Sequence, residues 1–219
     1  MSGYNVNGFR PPLRSVAFCS SYIYSPRGPG FGSEASRQVC ARLKGGDVAW
    51  LPAYARIVRG QASRHEALAG LFAGGVILVP VPGSAPQSTR VWAAERLAAA
   101  LYGVGLGRCV WPGVRRRSAV RRSATAINTH RPTVQQHFES LSIATLACPP
   151  GRMVLIDDVI TKGRTIFAVA ARLYEAFPNA DIRAFALVRT MGLLPGVAHV
   201  LDPCQGVVRW AGGDAWRDP

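Results

Sequence analysis

The sequence predicts an α/β fold with a central, mostly parallel sheet flanked by helices. Three short runs carry that expectation: VILVPV (Val76–Val81), MVLIDD (Met153–Asp158) and IRAFALV (Ile182–Val188). Each is almost continuously apolar, as a strand covered on both faces must be. The first two lead through a loop into a segment whose apolar residues recur at helical spacing. Strand–loop–helix units in series argue for parallel strands, and ligands of such sheets sit beyond the carboxyl ends of the strands.

All 219 residues read as one domain. Residues 1–14 read as a loose arm. SVAFCSSYIY (Ser15–Tyr24), rich in β-branched and aromatic residues, predicts a strand that SPRGPGFG then breaks. Ser33 can cap a helix running through Leu43, with Ser36, Val39, Cys40 and Leu43 on one face and Gly45-Gly46 as a stop. A second helix is expected over Ala62–Phe72. After VILVPV and the loop PGSAPQ, a helix is expected over Ser88–Tyr102, with Val91, Ala94, Ala98 and Leu101 on one side. The stretch from Val114 to Ile143 is the most basic part of the chain, and its apolar periodicity is poor until about Thr133. It predicts a long excursion, with residues 112–133 as a flexible basic loop, because loops of this length inside a compact domain are usually lids or disordered. MVLIDD leads into a helix over Arg164–Phe177 that places Ile166, Val169, Ala170, Leu173 and Phe177 on one face. The closing DPCQGVVRWAGGDAWRDP either lines a pocket or packs against the body.

The formal net charge is +14, and Lys44 and Lys162 are the only lysines. An arginine excess fits phosphate or nucleic-acid contacts, because guanidinium grips phosphate bidentately. A general compositional bias toward arginine explains it equally well. The five cysteines (Cys19, Cys40, Cys109, Cys148, Cys204) form no CxxC pair. The first residues lack the apolar core of a signal peptide, and no apolar run reaches the ~18 residues of a membrane span. A reduced, cytoplasmic setting without membrane association is the expectation, with cysteines acting as small buried hydrophobes. The histidines at 65, 130, 137 and 199 show no metal-binding spacing.

Chemistry concentrates in VLIDDVITKGRTI (Val154–Ile166). Between a parallel strand and its helix, Thr161, Lys162, Gly163, Arg164 and Thr165 would form a concavity of backbone N–H groups at a helix N-terminus, suited to a phosphate monoester. Asp157 and Asp158 cannot serve that anion. They suit vicinal hydroxyls, or a hydrated metal held on those hydroxyls. Phosphate at one end and a diol one sugar-length away describes a ribose 5-phosphate. The alternative is a strand end whose acids cap the next turn.

This stretch resembles the phosphoribosyl-pyrophosphate (PRPP) motif of the type I phosphoribosyltransferases over all thirteen positions from Met153 to Thr165. Lys162 departs from it, standing where the family usually has a small Thr or Ser. The resemblance implies that family's fold: a central sheet flanked by helices, with a flexible loop and a small hood to which residues 190–219 would belong. It implies ribose 2′ and 3′ hydroxyls on Asp157 and Asp158, and the 5′-phosphate on residues 161–165. VPVPGSAP (Val79–Pro86) resembles the family's pyrophosphate loop, nearest the ComF-like, competence-associated orphan members, which gives Pro82, Gly83 and Ser84 a pyrophosphate role. By position alone, Arg121 and Arg122 of the basic excursion would offset the leaving group's charge.

The activity implied is transfer of a phosphoribosyl group from PRPP to a nitrogenous acceptor, with Mg²⁺ carried by PRPP rather than by a direct protein site. Purine-salvage members that act on 6-oxopurines place an Asp where Thr161 stands, which counts against that acceptor. Two other readings share the fold: a non-catalytic, PRPP-sensing regulator that binds nucleic acid, and an accessory protein of a DNA-uptake or defence system with a degenerate PRPP site. Many members of the family dimerise, so a homodimer is compatible with the resemblance.

Overall fold

A computed structural model describes residues 8–45, 48–86, 91–121, 131–146, 150–191 and 197–219. The chain begins with strand β1 (Ser15–Tyr24) and passes through helices α1 (Gly30–Gly45), α2 (Leu51–Ala62) and α3 (Glu66–Phe72) to β2 (Ile77–Pro80). Helix α4 (Ala93–Gly103) leads to β3 (Cys109–Val110). Then come β4 (Val114–Arg116), α5 (Val134–Glu139) and β5 (Leu141–Ile143). Strand β6 (Arg152–Ile160), helix α6 (Arg164–Ala176) and strand β7 (Asp181–Thr190) follow. Strands β8 (Leu201–Ala211) and β9 (Asp214–Asp218) close the fold.

Seven strands form one sheet in the order β3-β2-β6-β7-β1-β8-β9. The first five run parallel, and β8 and β9 are antiparallel. Side chains of a strand alternate between faces, and the core divides accordingly. Val154 and Ile156 of β6 belong to a cluster with Leu43, Val58, Leu71 and Leu97 from α1 to α4. Met153 and Leu155 belong to a second cluster with Val134 of α5 and Phe167 and Leu173 of α6. Helices therefore cover both faces, which is why β6 reads as a continuous apolar run. Among the described residues no helix is long and apolar enough to cross a membrane.

Strand order fixes where a ligand can enter. From β2 the chain returns through α4 to β3 on one side of the sheet. From β6 it returns through α6 to β7 on the other. The two connections leave adjacent strands in opposite directions, and a crevice opens between them at the carboxyl edge. Pairing of β2 with β6 ends at Pro80↔Ile156, reinforced by Val81 N donating to Ile156 O at 2.8 Å. Pairing of β6 with β7 continues to Ile160↔Arg189. Asp157 and Asp158 thus lie where β6 has a neighbour on one side only.

Several expectations need correction. Helix α1 begins at Gly30, so Ser33 is buried inside it rather than capping it. The helix expected over Ala62–Phe72 is only the seven-residue α3, and α2 precedes it with Pro52 in its first turn, where proline is tolerated. Helix α4 starts at Ala93. Trp92 before it is extended, and its indole N–H donates to Val81 O at 2.8 Å. The arm is not loose at Phe9, which packs on Phe138 and Trp210 at 5.2 and 5.7 Å between ring centres.

The basic excursion is not a structureless loop along its whole length. Its ends pair as β4 and β5, from Val114↔Ile143 to Arg116↔Leu141. Thr133 and Gln136 form a capping box at the start of α5, satisfying two backbone donors. Arg122 and His130 lie outside the described residues. At the other end, much of the 190–219 segment expected to form a hood extends the main sheet instead. Strand β8 pairs with β1 from Ser15↔Arg209 to Tyr22↔Leu201. Gly212 and Gly213, with φ of 59° and 84°, form the two-residue turn to β9.

That turn needs left-handed backbone at both positions. Gly212→Asn should change stability by no more than about 0.5 kcal/mol, since asparagine tolerates this conformation. Gly213→Val should cost about 1–2 kcal/mol through left-handed strain. Urea denaturation of the two variants checks the contrast.

Candidate functional site

Strand β6 ends at Ile160, and the chain turns through Thr161 and Lys162 into Gly163, the residue that caps α6. Gly163 has φ of 80°, and a Cβ there would lie 2.6 and 2.8 Å from the two Cγ atoms of Val208. Only glycine lets the loop turn this sharply against β8. The first helical bond runs from Phe167 N to Gly163 O at 2.8 Å. The N–H groups of Arg164, Thr165 and Ile166 therefore have no acceptor within the helix, and the helix dipole places about half a positive charge at this end. A solvent-open concavity sits here, lined by Arg131, Asp157, Thr161, Lys162, Gly163 and Thr165 among others.

Two side chains of the cup, Arg164 and Lys162, are engaged from behind by the C-terminal hairpin. The Arg164 guanidinium forms a two-pronged ion pair with Asp214 of β9, with Nε donating to Oδ1 at 2.6 Å. A third nitrogen of Arg164 donates to Pro132 O at 3.2 Å. Arg164 thus offers the cup its backbone N–H, while its side chain serves the wall. The Lys162 ammonium lies 5.5 Å from the centre of the exposed Trp216 ring, a cation–π geometry. Arg217, also on β9, donates to Ile160 O at 2.9 Å and so pins the start of the loop.

Asp157 and Asp158 lie immediately upstream. Asp158 N donates to Asp157 Oδ1, and Val159 N donates to Asp158 Oδ1, both at 2.9 Å. Burial pushes the Asp157 carboxyl well above the usual carboxylate range, and the neighbouring charge of Asp158 adds to this. The Asp158 backbone N–H and the Arg116 guanidinium oppose the rise without cancelling it.

Arg116 joins the two candidate loops. Its Nε donates to Gly83 O at 2.8 Å, a second nitrogen donates to His137 O at 3.2 Å and to Ser140 Oγ, and the third lies 2.9 Å from His137 Nδ1. It is only 4 % exposed, and burial lowers its pKa to about 10 despite the pull of Asp157. Because arginine only donates, His137 Nδ1 must accept, which leaves Nε2 carrying the proton. Nε2 lies 3.5 Å from Thr165 Oγ1 in the cup. Val120 N donates to Ser84 O at 2.7 Å, fastening the other side of that loop to the basic segment. Pro82 is buried and Gly83 exposed, and a Cβ on Gly83 would meet nothing within 4 Å. The approach to its backbone is therefore open.

The structure brings Asp157 and residues 161–165 into one concavity, and ties Gly83 and Ser84 to it through Arg116 and Val120. Arg121 is exposed, and among the described residues no hydrogen bond or ion pair joins it to the cup. Arg116, Arg131 and His137 were missed as site residues. A signal existed for Arg116: it stands two residues after Val114, on the same strand face, with exposed Arg115 between them.

Burial, Arg116 and Arg164 push His137 down to about 3 from the usual 6.5. Between those values the unfolded chain binds a proton that the folded chain refuses. Stability should therefore fall as pH drops through this window, by up to about 1.4 kcal/mol per pH unit. Asp157, with its raised carboxyl, acts in the opposite sense. His137→Gln keeps an acceptor and a donor but cannot titrate, so its urea stability should vary less steeply than wild type between pH 6.5 and 4. The site rests on this geometry alone: no model of a known protein family matches the chain, and a search of curated proteins gives no match.

Proposed function

We propose that the chain is a type I phosphoribosyltransferase, a pentosyl-transferring enzyme that takes PRPP and a nitrogenous acceptor and releases pyrophosphate. The observation that carries this reading is the succession, at the switch point of the sheet, of paired acids and a glycine-capped helix N-terminus. The acids suit the ribose 2′ and 3′ hydroxyls. The carboxyl oxygens of Asp157 and Asp158 can accept from the two hydroxyls. The N–H groups at the start of α6, with the hydroxyls of Thr161 and Thr165, suit the 5-phosphate.

The reaction breaks the bond from ribose C1 to a pyrophosphate oxygen and forms a bond from C1 to the acceptor nitrogen. The acceptor's N–H proton passes to solvent or pyrophosphate. Such chemistry asks the protein chiefly to hold the ribose and meet the leaving group's charge. Backbone groups at Gly83 and Ser84, with buried Arg116 behind them, suit that second task. Two adjacent carboxylates beside a phosphate cup fit Mg²⁺, which favours one or two carboxylates plus substrate phosphates and water. When bound, Mg²⁺ would neutralise pyrophosphate charge. Asp157 and Asp158 are the residues that would support it.

A second reading draws on β4, where Arg115 and Arg117 are exposed on either side of buried Arg116. With Arg121 they form an outward-facing basic stretch, which suits nucleic-acid phosphates in a PRPP-sensing regulator.

Pyrophosphate release from PRPP across a panel of bases and amines separates the two. The enzyme reading expects release with at least one acceptor, and Asp158→Asn should lower turnover at least about tenfold, or ~1.4 kcal/mol in the barrier. Release with no acceptor, together with a salt-dependent mobility shift on DNA or RNA, would favour the regulator.

A further inference from the structure

Three cationic side chains line the cup: Arg131, Lys162 and Arg164. Two are already engaged. Arg164 is held by Asp214, and Lys162 lies over Trp216. Arg131 differs from both. Among the described residues it has no hydrogen-bond or ion-pair partner, and its Nε is shut off from solvent with nothing to donate to. A buried donor left in that state costs about 1–3 kcal/mol, more for a charged group, and an incoming acceptor recovers that cost.

The backbone beside Arg131 is fixed. Pro132 is buried and its carbonyl accepts from Arg164, while Thr133 caps α5. Arg131 is thereby anchored to the same wall that positions the first turn of α6. Apart from Lys162 and Arg164, the cup's donors are neutral backbone and hydroxyl groups, which would hold any small oxyanion. A guanidinium adds a paired donor and a full charge, which favour a terminal, doubly charged phosphate over a singly charged diester.

We infer that Arg131 is the side-chain cation that binds the ligand's terminal phosphate monoester, and that it sets the preference of the cup for a monoester over an internal phosphodiester. This inference rests on the proposed ribose 5-phosphate reading of the same site and names the residue that would enforce it. Arg131 sits at the end of a basic stretch that resemblance had linked to pyrophosphate. The geometry assigns it to the opposite end of the substrate.

Titration calorimetry with ribose 5-phosphate tests the assignment, using methyl ribose 5-phosphate diester as the comparison and thermal unfolding of the unliganded proteins as a control. Wild type should bind the monoester and discriminate against the diester. Arg131→Ala should weaken monoester binding by about ten- to a hundredfold, the worth of a lost charge-assisted hydrogen bond, and should lose most of the discrimination. Arg131→Lys should recover part of the affinity. The unfolding midpoint of unliganded Arg131→Ala should equal or exceed that of wild type, because the change removes an unsatisfied buried donor. Wild-type affinity in Arg131→Ala would overturn the role of Arg131 and leave the cup reading intact. Lost binding with a lowered midpoint would make Arg131 a structural residue and overturn the assignment. Absence of monoester binding by wild type would overturn both readings.

Discussion

Strand β6 outruns its neighbour, and the site depends on that. Beyond Ile156 it keeps β7 on one side and has lost β2 on the other. Had β2 continued alongside, the backbone from Asp157 to Ile160 would be paired on both edges and the acids would lie within the sheet. Instead the chain leaves β2 and β6 in opposite directions, and the edge of β6 faces the crevice. The strand remains straight enough to deliver Ile160 to Arg217 and then to turn at Gly163 against Val208. Four successive features follow from one unequal pairing: half-buried acids, a pinned strand end, a left-handed glycine and an open helix N-terminus.

Charge within this small region is arranged against ordinary solvation. Arg116 and His137 are buried 2.9 Å apart, Asp157 lies near enough for the Arg116 charge to act on it, and each of the three departs from its usual titration in the direction burial demands. At an effective dielectric near 20, unit charges 4 Å apart interact by about 4 kcal/mol, so such a group is sensitive to any ion added beside it. The hairpin β8–β9 moderates the site from behind. By engaging Arg164 with Asp214 and Lys162 with Trp216, it leaves the cup to backbone dipoles and Arg131. As the back wall of the 161–165 loop, it ties the last residues of the chain to the candidate site.

Much of this was legible in the sequence, and the reasons are local. Strands β2, β6 and β7 announced themselves because burial on both faces forces unbroken apolar runs, and β1 through its β-branched and aromatic residues. Helix α6 did so because Ile166, Val169, Ala170 and Leu173, all buried, recur at helical spacing. The departure of Lys162 from the motif is accommodated by Trp216, a contact invisible until β9 folds back. What stayed hidden depends on pairing between distant segments. Strands β4 and β5 have three residues each and acquire meaning only when Val114 meets Ile143. Arg116 and His137 looked like solvated polar residues because nothing in their own neighbourhood reveals that Gly83 and Thr165 will lie beside them. The C-terminal hairpin was within reach: Gly212-Gly213 between Trp210 and Trp216 is a two-residue turn signal that the strong α/β pattern upstream overshadowed.

The central claim is that backbone N–H groups at the start of α6 bind the terminal phosphate of a pentose phosphate whose hydroxyls lie on Asp157 and Asp158. Amide chemical shifts on titration with magnesium and PRPP address those atoms directly. The account predicts large, saturable downfield shifts at Gly163, Arg164, Thr165 and Ile166, with smaller changes at Asp157 and Asp158. Saturable binding that leaves those amides unmoved, with its shifts elsewhere on the surface, would contradict it.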